Sequence, residues 1–200
     1  MKGGHRGEFE ANGRRLIIRS LALGDGERLL EFINALLEEK KSNPDLAIID
    51  PSDAMTRAEA ERSVARTVKG IGSGEVISLG AFDGDTLVGA CDVQRPRPQE
   101  IRHTGLLDIA ILDGYRGLGL GEAMVSEVLR RSKELGIWLV QLRVFANNNA
   151  AIRLYERTGF RRSGLVPNMI LKNGRYIDDV QMYIDLRITD KFSPTGRRRS

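Results

Sequence analysis

The chain of 200 residues is long enough for one domain with a sizeable core, and its makeup, 41% apolar and 29% charged with 22 glycines, is that of an ordinary soluble globular protein. Its net charge of +4 includes Arg197, Arg198 and Arg199, so the body is close to neutral, and no basic helix or row of aromatics supports specific nucleic-acid binding. No apolar run approaches the ~18–20 residues that span a bilayer, the polar start lacks a secretory pattern, and the single cysteine, Cys91, excludes an intramolecular disulfide, so a cytoplasmic protein is expected.

Residues 1–13 read as a flexible polar segment, and residues 14–20 (RRLIIRS) as the first strand. Gly24-Asp25 opens a helix whose Leu29, Leu30, Ile33, Leu36 and Leu37 recur at helical spacing, and Asn43-Pro44 ends it. Thr56 and Glu59 form a capping-box pattern for a second helix, predicted to stop near Lys69 before the glycines at 70, 72 and 74. Residues 76–82 and 86–93 read as a hairpin around Asp83-Gly84-Asp85. Residues 106–112 form another strand, followed by a glycine-rich turn and a helix with Leu120, Met124, Val125, Val128, Leu129 and Leu135 on one face. After Gly136 come a strand at 138–145, a short helix at 150–157 ended by Gly159, and strands at 169–171 and 176–186. The order β-α-α-β-β-β-α-β-α-β-β predicts a mixed α/β sandwich occupying residues 14–190, with 191–200 as a basic flexible tail.

The segment LLDIAILDGYRGLGLGE at 106–122 carries the chemistry. A strand runs into Arg116-Gly117-Leu118-Gly119-Leu120-Gly121 and a helix begins at once, so unpaired N–H groups and the helix dipole favour an anion there. Gly117, Gly119 and Gly121 are spaced by two, which departs from the dinucleotide pattern G-x-G-x-x-G, and no Lys-Ser or Lys-Thr follows as a triphosphatase loop requires.

Arg116, Gly119 and Gly121 match R-x-x-G-x-G, and Asn148 followed by Ala151-Ile152-x-Leu154-Tyr155-Glu156-x-x-Gly159-Phe160 matches N-x-x-A-I-x-L-Y-E-x-x-G-F. With the opening strand Leu16-Ile17-Ile18-Arg19 leading to Asp25, these segments resemble the GNAT superfamily of acetyl-CoA-dependent N-acetyltransferases, over roughly residues 14–186. The resemblance implies a GNAT-like α/β fold, with a central, mostly antiparallel, splayed sheet flanked by helices on both faces. It implies that acetyl-CoA, as co-substrate, lays its pyrophosphate on the turn from Arg116, bound by Arg116 and by the N–H groups of Gly117, Leu118, Gly119, Leu120, Gly121 and Glu122. Ile109, Ala110 and Ile111 would pair their main chain with the pantetheine arm, one N–H polarising the thioester carbonyl. Asn148 would reach the pantetheine, and Tyr155 would protonate the departing thiolate. Read without the family, Asn148 is a helix N-cap and Tyr155 a core aromatic.

An amine at neutral pH must lose a proton before it attacks, so a base is needed. Asp108 is the candidate by position, its side chain on the face opposite Ile109 and Ile111. Relatives carry a glutamate slightly earlier on this strand, where this chain has Leu106 and Leu107, so His103, a bound water or no dedicated base stay open. No metal is expected, because His5, His103 and Cys91 are too few to build a site, and Cys91 reads as a small buried residue. Residues 24–62 hold ten acidic and five basic side chains, a field that would draw a cationic acceptor. The expected partner is an amine-bearing small molecule (a polyamine or an aminoglycoside-like amine) or a basic peptide or protein, with no membrane; a homodimer stands beside a monomer as an open alternative. A non-catalytic acyl-CoA sensor is the rival reading, and it would have no use for Tyr155.

Overall fold

A computed structural model of the chain describes residues 7–43 and 55–189. Its strands are β1 (Gly7–Ala11), β2 (Arg14–Arg19), β3 (Val76–Asp83), β4 (Thr86–Gln94), β5 (Thr104–Ile111), β6 (Leu139–Phe145), β7 (Arg161–Lys172) and β8 (Arg175–Asp185). Its helices are α1 (Gly26–Ser42), α2 (Arg57–Ser73), α3 (Leu120–Glu134) and α4 (Asn149–Thr158). The strands join in one sheet in the order β1-β2-β3-β4-β5-β6-β8-β7, and only the β5–β6 pair is parallel.

Local chemistry starts most of these elements. The Thr56 hydroxyl accepts the Glu59 N–H while the Glu59 carboxylate accepts the Thr56 N–H, so two donors at the start of α2 are satisfied reciprocally. In β4 and β5 the side chains alternate. Cys91, Val93, Leu107 and Ile109 face a large core closed by Met124, Val125, Val128 and Leu129 of α3, whereas Ala90 and Ala110 face a smaller core with Phe32 and Leu36 of α1. Helices therefore cover both faces, as the fold class requires.

Three elements differ from expectation. Residues 7–11, read as part of a flexible lead-in, pair with β2 through Asn12-Gly13, whose φ values of 49° and 73° are those of a tight hairpin turn. Residues 1–6 and the basic tail lie outside the described residues. α2 continues past Lys69 to Ser73, because Gly70 packs against Val76, where a Cβ would come within 2.7 Å of its side chain. β7 is longer than its apolar content suggests, running over Arg161–Lys172 where only 169–171 was expected. Most of β7 is exposed, and the ladder to β8, rather than burial, carries it around register shifts at Arg162/Gly164 and Val166/Ile170.

The feature that shapes the molecule lies at its centre. Thr104, Gly105 and Leu106 of β5 pair with Leu139, Val140 and Gln141 of β6, and there the pairing stops. Beyond it β5 follows β4 as far as Ile111, and β6 follows β8 as far as Phe145, so the sheet opens into a wedge.

Candidate functional site

The wedge ends in a loop built to receive an anion. After β5 a short turn over Asp113–Tyr115 leads to Gly117 and Gly119, with φ of 73° and 83°, a left-handed backbone that side chains disfavour. Gly119 is also the N-cap of α3, so no side chain caps that helix, and its first backbone bond runs from the Ala123 N–H to the Gly119 carbonyl at 3.1 Å. The N–H groups of Leu120, Gly121 and Glu122 thus have no acceptor within the helix, which makes this end a site for a phosphate. Gly121 serves a different purpose: a Cβ there would meet Leu154 of α4 at 3.0 Å.

Arg116 turns inward. Its Nε donates to the Ile111 carbonyl at 2.7 Å, and its two other nitrogens hold the carboxylates of Asp113 and Glu39. Glu39 on α1 also accepts the Asp113 N–H at 2.7 Å, so it ties the end of β5 to α1. Arg116 therefore anchors the loop. Glu39 was missed in the sequence because its partner stands 77 residues away.

Main-chain groups line the wedge. The Leu112 N–H donates to Val88 of β4 at 3.0 Å, so by strand alternation the N–H groups of Ile109 and Ile111 point away from β4, into the opening. The Ile109 N–H is met there by the Asp108 carboxylate at 2.9 Å. Ala110 turns its side chain to the opposite side, among the residues around α1. On α4, the Asn148 side-chain oxygen caps the helix by accepting the Ala151 N–H at 3.1 Å, which leaves its amide nitrogen for another partner. Tyr155 is 6% exposed, lies edge-on to Phe160, and its hydroxyl makes no hydrogen bond to a described residue. Burial raises its pKa, with Cys91 and Asp108 nearby adding to the effect, so the phenol holds its proton at neutral pH.

On the α1–α2 side of the sheet lies a cleft of about 1040 Å³. Its floor carries Asp108 beside a residue that sequence reasoning passed over: Asp92 of β4, directly opposite it in the ladder. Two carboxylates in register repel, and such a pair destabilises a sheet. Asp92 Oδ1 and the hydroxyl of Ser78, its neighbour on β3, are buried without hydrogen-bond partners. Burial pushes the Asp92 carboxyl up to about 6; the Ser78 hydroxyl opposes this and the charge of Asp108 adds to it. A charged residue inside the apolar run 87–93 was the legible signal.

The remaining candidates sort themselves by position. His103 stacks on Trp138 with ring centroids 4.4 Å apart, and the Arg187 guanidinium lies 3.5 Å over the other ring. It sits at the closed end of the wedge, five residues or roughly 16 Å along the strand from Asp108, too far to share its work. Burial raises the pKa of the Cys91 thiol well above its ordinary value, and no cluster of metal-ligating side chains exists among the described residues. The acidic residues of the first helices largely face elsewhere: Asp25 is buried against Arg19 and Arg28, Glu38 pairs with Lys41, Glu39 with Arg116, and Glu27 and Glu61 with Arg57. Asp45, Asp50 and Asp53 lie outside the described residues. The overall acidic count thus does not describe the wall of the cleft. No described helix is long and apolar enough to cross a membrane.

The Acetyltransferase (GNAT) family matches residues 45–160, more than half of the chain. The L-methionine sulfoximine/L-methionine sulfone acetyltransferase of Pseudomonas paraeruginosa is 32% identical over 91 residues, covering 45% of this chain and 53% of that protein. The chain spans about half the length of the curated relatives it matches. Among solved structures, the acetyltransferase of the GNAT family from Streptococcus pneumoniae is similar with a TM-score of 0.75 and 26% identity, over 86% of this chain and 99% of that one. A Salmonella typhimurium protein solved with its cofactor acetyl-CoA shares the fold with a TM-score of 0.72 and 20% identity, over 88% of this chain and 96% of that one.

Proposed function

The chain belongs to the Acetyltransferase (GNAT) family, and on that premise we propose that it moves the acetyl group of acetyl-CoA directly to a primary amine. The observation that carries this reading is the wedge between β5 and β6, which ends at an uncapped helix N-terminus. A diphosphate fits the N–H groups from Gly117 to Glu122, and an amide-rich arm fits the outward N–H groups of Ile109 and Ile111 and the Asn148 amide. When bound, acetyl-CoA supplies a thioester whose acyl carbon is open to an amine.

The chain's own residues supply the proton chemistry. Asp92 and Asp108 together take the proton that an ammonium must lose before its nitrogen attacks. A base with a pKa of about 6 does this better than an ordinary aspartate, because its proton affinity lies nearer the working pH. The Ile109 N–H, released from Asp108, donates to the carbonyl oxygen as negative charge grows there. Tyr155, held protonated by its surroundings, gives its proton to sulfur as the carbon–sulfur bond breaks.

The reaction admits any primary amine, from a polyamine or an aminoglycoside-like compound to the N-terminus or lysine of a peptide. The Pseudomonas relative, named for acetylating an amino-acid analogue, supports a small amine. Thiol release from acetyl-CoA across a panel of amines and basic peptides tests the function. A protein that binds acetyl-CoA yet releases no thiol with any amine is an acyl-CoA sensor, and the carboxylate pair would then have no purpose.

A further inference from the structure

The cleft has a second charged wall that the proton chemistry leaves unused. Arg62, Arg66 and Lys69 recur at i, i+4 and i+7 on α2, so they form one stripe about 10 Å long, and all three line the cleft. Like charges at this spacing weaken a helix, so helix stability does not account for them. Glu59, one turn before Arg62, has its carboxylate engaged in the capping box. Arg66 and Lys69 have no carboxylate partner among the described residues. Facing them across the cleft are Asp92 and Asp108 on the floor, and Leu29, Phe32 and Ile33 of α1 form an apolar wall.

A cavity with carboxylates on its floor, cations on one wall and an apolar surface on another matches a zwitterion with an apolar body. We infer that the acceptor is a free amino acid or close analogue, its carboxylate on Arg62, Arg66 and Lys69, its ammonium at Asp92 and Asp108, and its side chain against α1. A polyamine or a lysine-rich peptide would bring positive charge against the α2 stripe. A peptide N-terminus would bring an amide where the stripe calls for an anion. The assignment of the ammonium as the reacting group rests on the transferase reading, whereas the anion site does not.

The test compares ligands that differ only in the carboxylate. Calorimetry on the full chain measures L-phenylalanine against phenethylamine and L-phenylalaninamide, and L-methionine against 3-(methylthio)propylamine, in the wild type and in an Arg62→Gln/Arg66→Gln double variant. These side chains are exposed, so the variant should fold, which a melting curve checks. One charge-assisted contact corresponds to about a tenfold preference for the amino acid in at least one pair. That margin should collapse in the double variant while the decarboxylated amine binds as before. Equal affinities within every pair, a margin that survives the double substitution, or no binding by any probe overturns the inference. Thiol release, read separately, judges the transferase: binding with the expected margin but no thiol leaves the anion site standing and removes the reaction. Turnover of amines without any margin does the reverse.

Discussion

Replacing Asp92 by Asn should make the protein more stable and far less active at once. The native carboxyl has a pKa of about 6, whereas in the unfolded chain it returns to about 3.9. Above pH 6 the native state must hold a charge that its surroundings resist, and about two pKa units at 1.36 kcal/mol each make that penalty about 3 kcal/mol. Asp92 is half-buried rather than enclosed, so the realised figure is nearer 2–3 kcal/mol. The sign follows from proton counting. Between about pH 4 and pH 6 the native state binds more protons than the unfolded state, so stability falls as pH rises through that window. Asparagine keeps the shape, removes the charge, and can donate to the neighbouring Ser78 hydroxyl. At pH 7.5 differential scanning calorimetry should therefore show Tm raised by about 4–12 °C. At pH 4, where the wild-type carboxyl is protonated in the native state and about half so in the unfolded one, the gain should shrink to about 0.5 kcal/mol. kcat/KM should drop by about 10²–10⁴, the typical value of a positioned base, and in the wild type it should rise with pH through about 6. A variant that is no more stable at pH 7.5, or whose gain is the same at pH 4, would refute the account of Asp92 as a strained functional carboxylate.

Tyr155→Phe should lower kcat by about 10²–10⁴ and leave acetyl-CoA affinity and Tm nearly unchanged, since the lost hydroxyl makes no hydrogen bond to a described residue; full kcat in the folded variant would remove Tyr155 from the reaction. Gly119→Val forces a β-branched residue to a φ of 83°, at a cost of about 1–2 kcal/mol, and should weaken acetyl-CoA binding by about tenfold or more in calorimetry. Glu39→Gln removes the carboxylate that holds both Arg116 and the Asp113 N–H; about 1–3 kcal/mol of stability should go with it, and looser acetyl-CoA binding should follow because the anion loop loses its anchor. Unchanged cofactor affinity in a destabilised Glu39→Gln protein would separate that ion pair from the loop.

The sequence by itself determined the features that a turn or two of chain can encode. The Thr56–Glu59 box, the Asp83-Gly84 hairpin, the stripe of α3 and the Asn148 cap each depend on residues within a few positions of one another. The glycine loop was legible for the same reason, since a left-handed backbone and an uncapped helix start are local properties. The turn at Asn12-Gly13 was passed over when residues 1–13 were read as a flexible segment, because β1 has few apolar side chains and only its pairing with β2 makes it a strand. Only the tertiary structure decided what meets what. The register of β4 on β5 sets Asp92 against Asp108, and burial then moves a proton affinity that composition leaves at its ordinary value. Gly70 reads as a helix breaker until Val76 is packed against it, and Arg116 reads as a phosphate ligand until Glu39 arrives from α1. The acidic excess of residues 24–62 runs into the basic stripe of α2 at Arg62, and the two part because ion pairs engage Asp25, Glu27, Glu38, Glu39 and Glu61 while Arg62, Arg66 and Lys69 line the cleft. Charge counted along a chain adds up regardless of direction, whereas the field inside a cleft depends on which side chains the fold turns towards it.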